Sequence, residues 1–129
     1  MLSDIDLLAT YTRRVALEEG VLVDVTEAAK RAGFQWPVVM SKGVWMECVE
    51  VPKGLFWQSE DGRIRDILRR LMHAVLRSLK PIRTITFQVL VQKPKGAPEL
   101  LTLRADSWPD DEGNHSLVVM LPDEEPEEI

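Results

Sequence analysis

Cysteine is almost absent. Cys48 is the only one among 129 residues, so no disulfide can close within the chain, and a reducing, cytoplasmic setting is favoured. Histidine is nearly as scarce: His73 and His115 stand far apart, have no ligand-spaced companion and make no metal motif. No apolar run approaches the length of a membrane span. At the N-terminus Asp4 and Asp6 stand where a secretory signal would carry basic residues, so no signal peptide is expected. There is no glycine-rich phosphate loop, no Gly-x-Ser-x-Gly elbow and no pair of zinc half-sites. No cofactor is expected, and catalysis finds no positive support.

What remains is the composition of a globular protein, 45% hydrophobic and 29% charged, in a chain of single-domain length. The strongest pattern lies in the segment Asp61 to Lys80. Ile64, Ile67, Leu68, Leu71, Met72, Val75, Leu76 and Leu79 recur at helical spacing and predict one long amphipathic helix, with Asp61 as a cap and Pro81 as a stop. Shorter helices are expected over Tyr11–Glu19, Glu27–Ala32 and Lys42–Glu50. The last has Ser41 as its cap and Val44, Trp45, Cys48 and Val49 on its apolar face. Gly33 is placed to close the second of these, with Phe34 folding back on it. Val21–Val25 and Pro37–Met40 are short, strand-like apolar runs, and Leu55–Gln58 is aromatic and extended.

Three strands are predicted after the long helix. Arg83–Gln92 alternates Ile85, Phe87, Val89 and Val91 against polar neighbours, Glu99–Ala105 alternates again, and Ser116–Leu121 is apolar on both faces, as a central or well-covered strand would be. Short links favour an antiparallel meander. The expected fold is therefore α+β: a three-stranded antiparallel meander covered by the long helix, with short N-terminal helices, forming one domain over residues 1–122. Residues 123–129 carry five acids and few apolar side chains and are expected to be a disordered tail.

Charge is unevenly spread around a net −5: residues 62–80 carry six basic residues against Asp66, whereas residues 98–129 carry ten acids against Arg104. Such asymmetry can pair within the chain or face a partner of opposite charge. Two candidate surfaces follow. Trp36 and Trp108, each before a proline in a loop-like position, together with Asp110, Asp111 and Glu112, could meet a protein partner. Arg69, Arg70, Arg77 and Lys80 share one side of the long helix and could meet phosphates, although a solvated or internally paired face explains them too. Trp45 and Trp57 read as core residues and Cys48 as a buried structural thiol. An enzyme would have to be built around Asp24, Glu27 or His73. Helix capping accounts for the two carboxylates and a solvated surface for the histidine.

Residues 11–34, YTRRVALEEGVLVDVTEAAKRAGF, resemble the opening of a small family of unknown function carried by bacterial plasmids, phages and integrated elements. Further matches are Pro37-Val38, Val44-Trp45-x-x-Cys48-Val49, Asp61-Gly62-Arg63 with Asp66-Ile67-Leu68, Phe87-Gln88-Val89, Leu101-Thr102-Leu103 and Met120-Leu121-Pro122. Arg65 departs from the pattern, standing where an aromatic is common. The resemblance implies no catalytic residues. It implies a mobile-element accessory protein that binds a host protein or complex, with inhibition of a restriction or CRISPR defence among the roles such proteins take. The alternatives are a nucleic-acid-associated protein using the basic helix face and an uncharacterised enzyme.

Overall fold

The computed structural model describes residues 13–78, 83–110 and 112–124. The chain is α+β, built on a five-stranded mixed sheet. The strands are β1 (Leu22–Asp24), β2 (Val38–Ser41), β3 (Thr84–Val91), β4 (Glu99–Pro109) and β5 (His115–Met120), in spatial order β1-β2-β5-β4-β3. Among the described residues four helical segments accompany them: α1 over residues 13–18, α2 (Thr26–Arg31), α3 (Lys42–Val44, continued as a π-helix over Trp45–Val49) and α4 (Glu60–Arg77).

The three-stranded meander expected from the sequence is corrected. β3, β4 and β5 do pair in antiparallel succession, but β5 is not an edge. Its other side pairs in parallel with β2, Val38 opposite Leu117 and Met40 opposite Val119, and β1 adds an antiparallel fifth strand. The physical reason is the composition of β5. Ser116 to Met120 are all buried, and a strand apolar on both faces needs both faces and both edges covered. The strand running Glu99–Pro109 also extends past the predicted end at Ala105, absorbing Trp108 into the sheet.

α4 covers one sheet face. Ile64, Ile67, Leu68 and Leu71 are buried at i, i+3, i+4 and i+7, each contributing about 1.5–3 kcal/mol by burial. They pack with Phe87, Val89, Val91, Leu103, Ala105, Leu117 and Val119, and with residues of α2 and α3. The helix starts one residue before its expected cap. Ser59 is the N-cap, its Oγ accepting from the Gly62 N–H at 3.0 Å, while Glu60 and Asp61 occupy the first turn, where the helix dipole favours anions.

Among the described residues the opposite sheet face is only half covered. Ala16 and Leu17 of α1 pack over Leu22, Val39, Val118 and Met120. Beyond them Thr84, Thr86, Gln88, Leu90, Leu100 and Thr102 of the β3–β4 hairpin face solvent.

Two local features shape the rest. In α3 the Glu50 N–H bonds back to the Trp45 carbonyl at 2.8 Å. The turn is one residue wider than an α-helical turn, and Val44, Cys48 and Val49 all reach the core. At the end of α2, Gly33 takes φ +101° and the Phe34 N–H returns to the Ala29 carbonyl at 2.9 Å, the glycine-terminated stop read from the sequence.

The C-terminal turn is tied to the body. The Ser41 hydroxyl donates to Glu124 Oε1 at 2.8 Å, and Arg104 donates to the carbonyls of Pro122 and Glu124, both at 2.9 Å. A Cβ placed on Gly43 would meet Oε1 of Glu124, so a larger residue there would displace that carboxylate. The remainder of the acidic tail, residues 125–129, lies outside the described residues. No helix among the described residues is long and apolar enough to cross a membrane.

Candidate functional site

The loop between α3 and α4 gives the clearest surface feature. Leu55 is buried and anchors it, while the next two side chains point away: Phe56 is 91% exposed and Trp57 70%. Trp57 is expected in the core and Leu55–Gln58 as an extended stretch. Instead Leu55 and Gln58 N–H groups bond back to the carbonyls of Pro52 and Leu55, making successive turns that allow only one of three adjacent apolar side chains to face inward. Met46, 58% exposed on the π-helix, is a further large apolar side chain left in solvent. Trp45, by contrast, packs against the core as expected.

The loop is held at its base by Arg63. This arginine is 6% exposed, so it does not belong with the solvent-facing cations of α4. Its Nε donates to Gln58 Oε1 at 3.1 Å, Nη1 to the Glu50 carbonyl at 3.2 Å and Nη2 to the Gln92 carbonyl at 2.6 Å. One planar fork therefore joins both ends of the loop to α4 and to the far end of β3.

The sequence-predicted partner residues gather at the other end of the sheet. Trp36 is half-exposed before β2, its ring centroid 6.0 Å from that of His115 at a 48° tilt. Trp108 packs against the smaller core beneath α1, and the Ser116 hydroxyl donates to its carbonyl at 2.7 Å. Asp110 Oδ1 accepts from the Glu112 and Asn114 N–H groups at 3.0 and 2.9 Å, so this carboxylate shapes the β4–β5 loop. Glu112 is exposed, and Asp111 lies outside the described residues. A cleft of about 790 Å³ opens here between Arg83, Asp106, Trp108 and His115.

Along the exposed side of α4, Arg65, Arg69, Arg70, His73 and Arg77 face solvent. Lys80, expected to continue the row, lies outside the described residues. Arg70 Nε donates to the Gln88 carbonyl of edge strand β3 at 3.1 Å. The ion pairs among the described residues are Glu27–Lys30, Glu47–Lys93 and Arg104–Asp106. None of them involves the exposed arginines of α4.

The chemistry of the remaining candidates is modest. Burial pushes the Cys48 thiol up to about 11, opposed by Lys93 and Arg63 and reinforced by Glu47 and Glu99, so it is a neutral packing group and a poor nucleophile. Clefts do lie beside Asp24 and Glu27 and beside His73. Asp24 Oδ1, however, accepts from the Thr26 N–H at 2.9 Å at the start of α2, and Glu27 pairs with Lys30 at 3.3 Å. His73 has no hydrogen-bond partner among the described residues to orient it as a base. No group of three or more metal-ligating side chains occurs among the described residues.

No family model, no curated protein and no solved structure matches the chain.

Proposed function

We propose that this protein works as an interaction module that binds another protein through the Phe56–Trp57 loop. The exposure of these two neighbouring aromatics carries the reading. Large aromatic side chains cost free energy when left in water, and they supply the buried anchors around which protein interfaces form. Here the loop is braced from below by Leu55 and Arg63, so the pair is presented on a fixed support, which lowers the ordering cost of binding.

The likeness of residues 11–34 to a mobile-element family makes a host protein or complex the partner to test first, a restriction or CRISPR effector foremost. The Trp36 end of the sheet, with its acidic loop, is available as a secondary contact. A tagged wild-type protein should retain a stoichiometric host partner that the Phe56→Ser/Trp57→Ser variant, equally folded, does not. Recovery of no stoichiometric partner, or equal recovery by both, contradicts the proposal.

A further inference from the structure

An open cleft of about 380 Å³ at the β3 edge is lined by Arg70, His73 and Arg77 of α4 and by Thr86, Gln88 and Thr102 of the β3–β4 hairpin. We infer that this cleft and the exposed face of α4 beside it form a binding surface for the phosphodiester backbone of a nucleic acid. It is a second site, independent of the Phe56–Trp57 loop.

Three observations carry the inference. The first is charge. α4 carries five arginines and three acids, Glu60 and Asp61 in its first turn and Asp66, and Arg63 is the only one of those arginines that is buried. The exposed Arg65, Arg69, Arg70 and Arg77 make no ion pair among the described residues, Asp66 included. From Ile67 to Arg77 the helix carries Arg69, Arg70 and Arg77 and no acid, while acidic side chains on other elements include Glu18 and Glu19 beside α1, Asp24 and Glu27 around α2, Asp110 and Glu112 in the β4–β5 loop, and Asp123 and Glu124 in the C-terminal turn. A net charge of −5 therefore coexists with a local basic stripe, and exposed charges more than about 8–10 Å away are largely screened at ordinary ionic strength.

The second observation is geometry. Arg70 is fixed by its Nε bond to the Gln88 carbonyl, leaving its Nη groups with no bond to the described residues. Thr86, Gln88 and Thr102, on the solvent-facing side of the hairpin, also line the cleft, and residues of these types are suited to phosphate and sugar oxygens.

The third is length. From Arg65 to Arg77 the helix rises about 18 Å at about 1.5 Å per residue, the span of about five nucleotides at about 3.4 Å each. A free phosphate or mononucleotide would use only the cleft and leave Arg65 and Arg69 idle.

Fluorescence anisotropy with labelled single-stranded DNA, single-stranded RNA and duplex DNA tests the inference. With four phosphate contacts, single-strand affinity should fall about 50-fold between about 50 and 200 mM salt, a log–log slope of about −2.8. Arg69→Gln/Arg77→Gln should bring that slope to about −1.4, whereas Arg14→Gln/Arg31→Gln, with the same change in net charge, should leave it unchanged. Which of the three probes binds most tightly identifies the natural nucleic acid. Failure of all three to bind at low salt overturns the inference, as does an equal effect of the two double variants. Competition by inorganic phosphate at the affinity of the oligonucleotide would reassign the cleft to a small anion. Equal competition by polyglutamate would reassign the surface to an acidic protein.

Discussion

Arg63 reaches from the first turn of α4 to the last carbonyl beyond β3, donating to Gln92 at 2.6 Å. Seven residues further along the helix Arg70 makes the equivalent contact to Gln88 at 3.1 Å. The two arginines thus occupy carbonyls along the open edge of the sheet, positions from which an unpaired strand would otherwise recruit another chain. Arg63 does so from a buried site using only neutral acceptors, so its charge is balanced by oriented carbonyl and amide dipoles.

Removing that fork should be costly. Arg63→Met leaves the Glu50 and Gln92 carbonyls without their charged donor, and a loss of about 2–4 kcal/mol is expected from denaturant unfolding. Arg63→Lys should recover little of it, because an ammonium cannot reach three acceptors in one plane. A near-neutral Arg63→Met would show that the loop is held by Leu55 alone.

The loop itself should separate into two behaviours. Leu55→Ala should destabilise by about 2–4 kcal/mol, as a buried large-to-small change does. Phe56→Ser and Trp57→Ser should each stay within about 0.5 kcal/mol of wild type, because neither side chain contributes to the core. Thermal unfolding of the three variants checks the contrast.

These residues also show where sequence reading stops. The helical period of Ile64, Ile67, Leu68 and Leu71 and the alternation of Phe87, Val89 and Val91 are local signals, and each predicted an element that the structure contains. The pairing of β5 with β2 joins residues about 80 positions apart (Val38 with Leu117), and nothing within either strand names the other. The doubly apolar character of Leu117–Met120 did demand a central position. The meander placed that strand at an edge, and the conflict was the available sign that further strands had to be found. Val21–Val25 and Pro37–Met40 were the candidates. Trp57 misled because aromatic residues favour interiors. The turn formers Pro52, Lys53 and Gly54 before it were the only sign of a loop too tight to bury three consecutive apolar side chains. In the sequence Arg63 counts only as one of six basic residues over 62–80, since composition does not distinguish it from Arg65.

The C-terminal turn should contribute to stability through Glu124. Loss of its side chain in Glu124→Ala removes the acceptor for Ser41 Oγ and for the Leu121 N–H at 3.2 Å, at a cost of about 1–2 kcal/mol. Gly43→Ala should displace the same carboxylate, so the double variant should be less than additive in a denaturant-based cycle. Additive effects would place Glu124 in solvent.

Cys48 should confer a pH dependence on stability. Its folded-state value is raised from 9.0 to about 11, so the unfolded chain loses the thiol proton first. Stability is unaffected below about pH 8.5 and falls between about 9 and 11, by about 2–3 kcal/mol in total. The difference between wild type and Cys48→Ala should isolate this slope. Parallel stability curves across that window would mean that the thiol is hydrated.

The most direct test of the interaction module is a photo-crosslinking amino acid placed at Phe56, compared with the same group at Glu18, an exposed position on α1 far from the loop in sequence. Irradiation in host cells should give a discrete adduct with one host protein from position 56 and none from position 18. No adduct at position 56, or the same adducts from both positions, would contradict a partner-binding role for the Phe56–Trp57 loop.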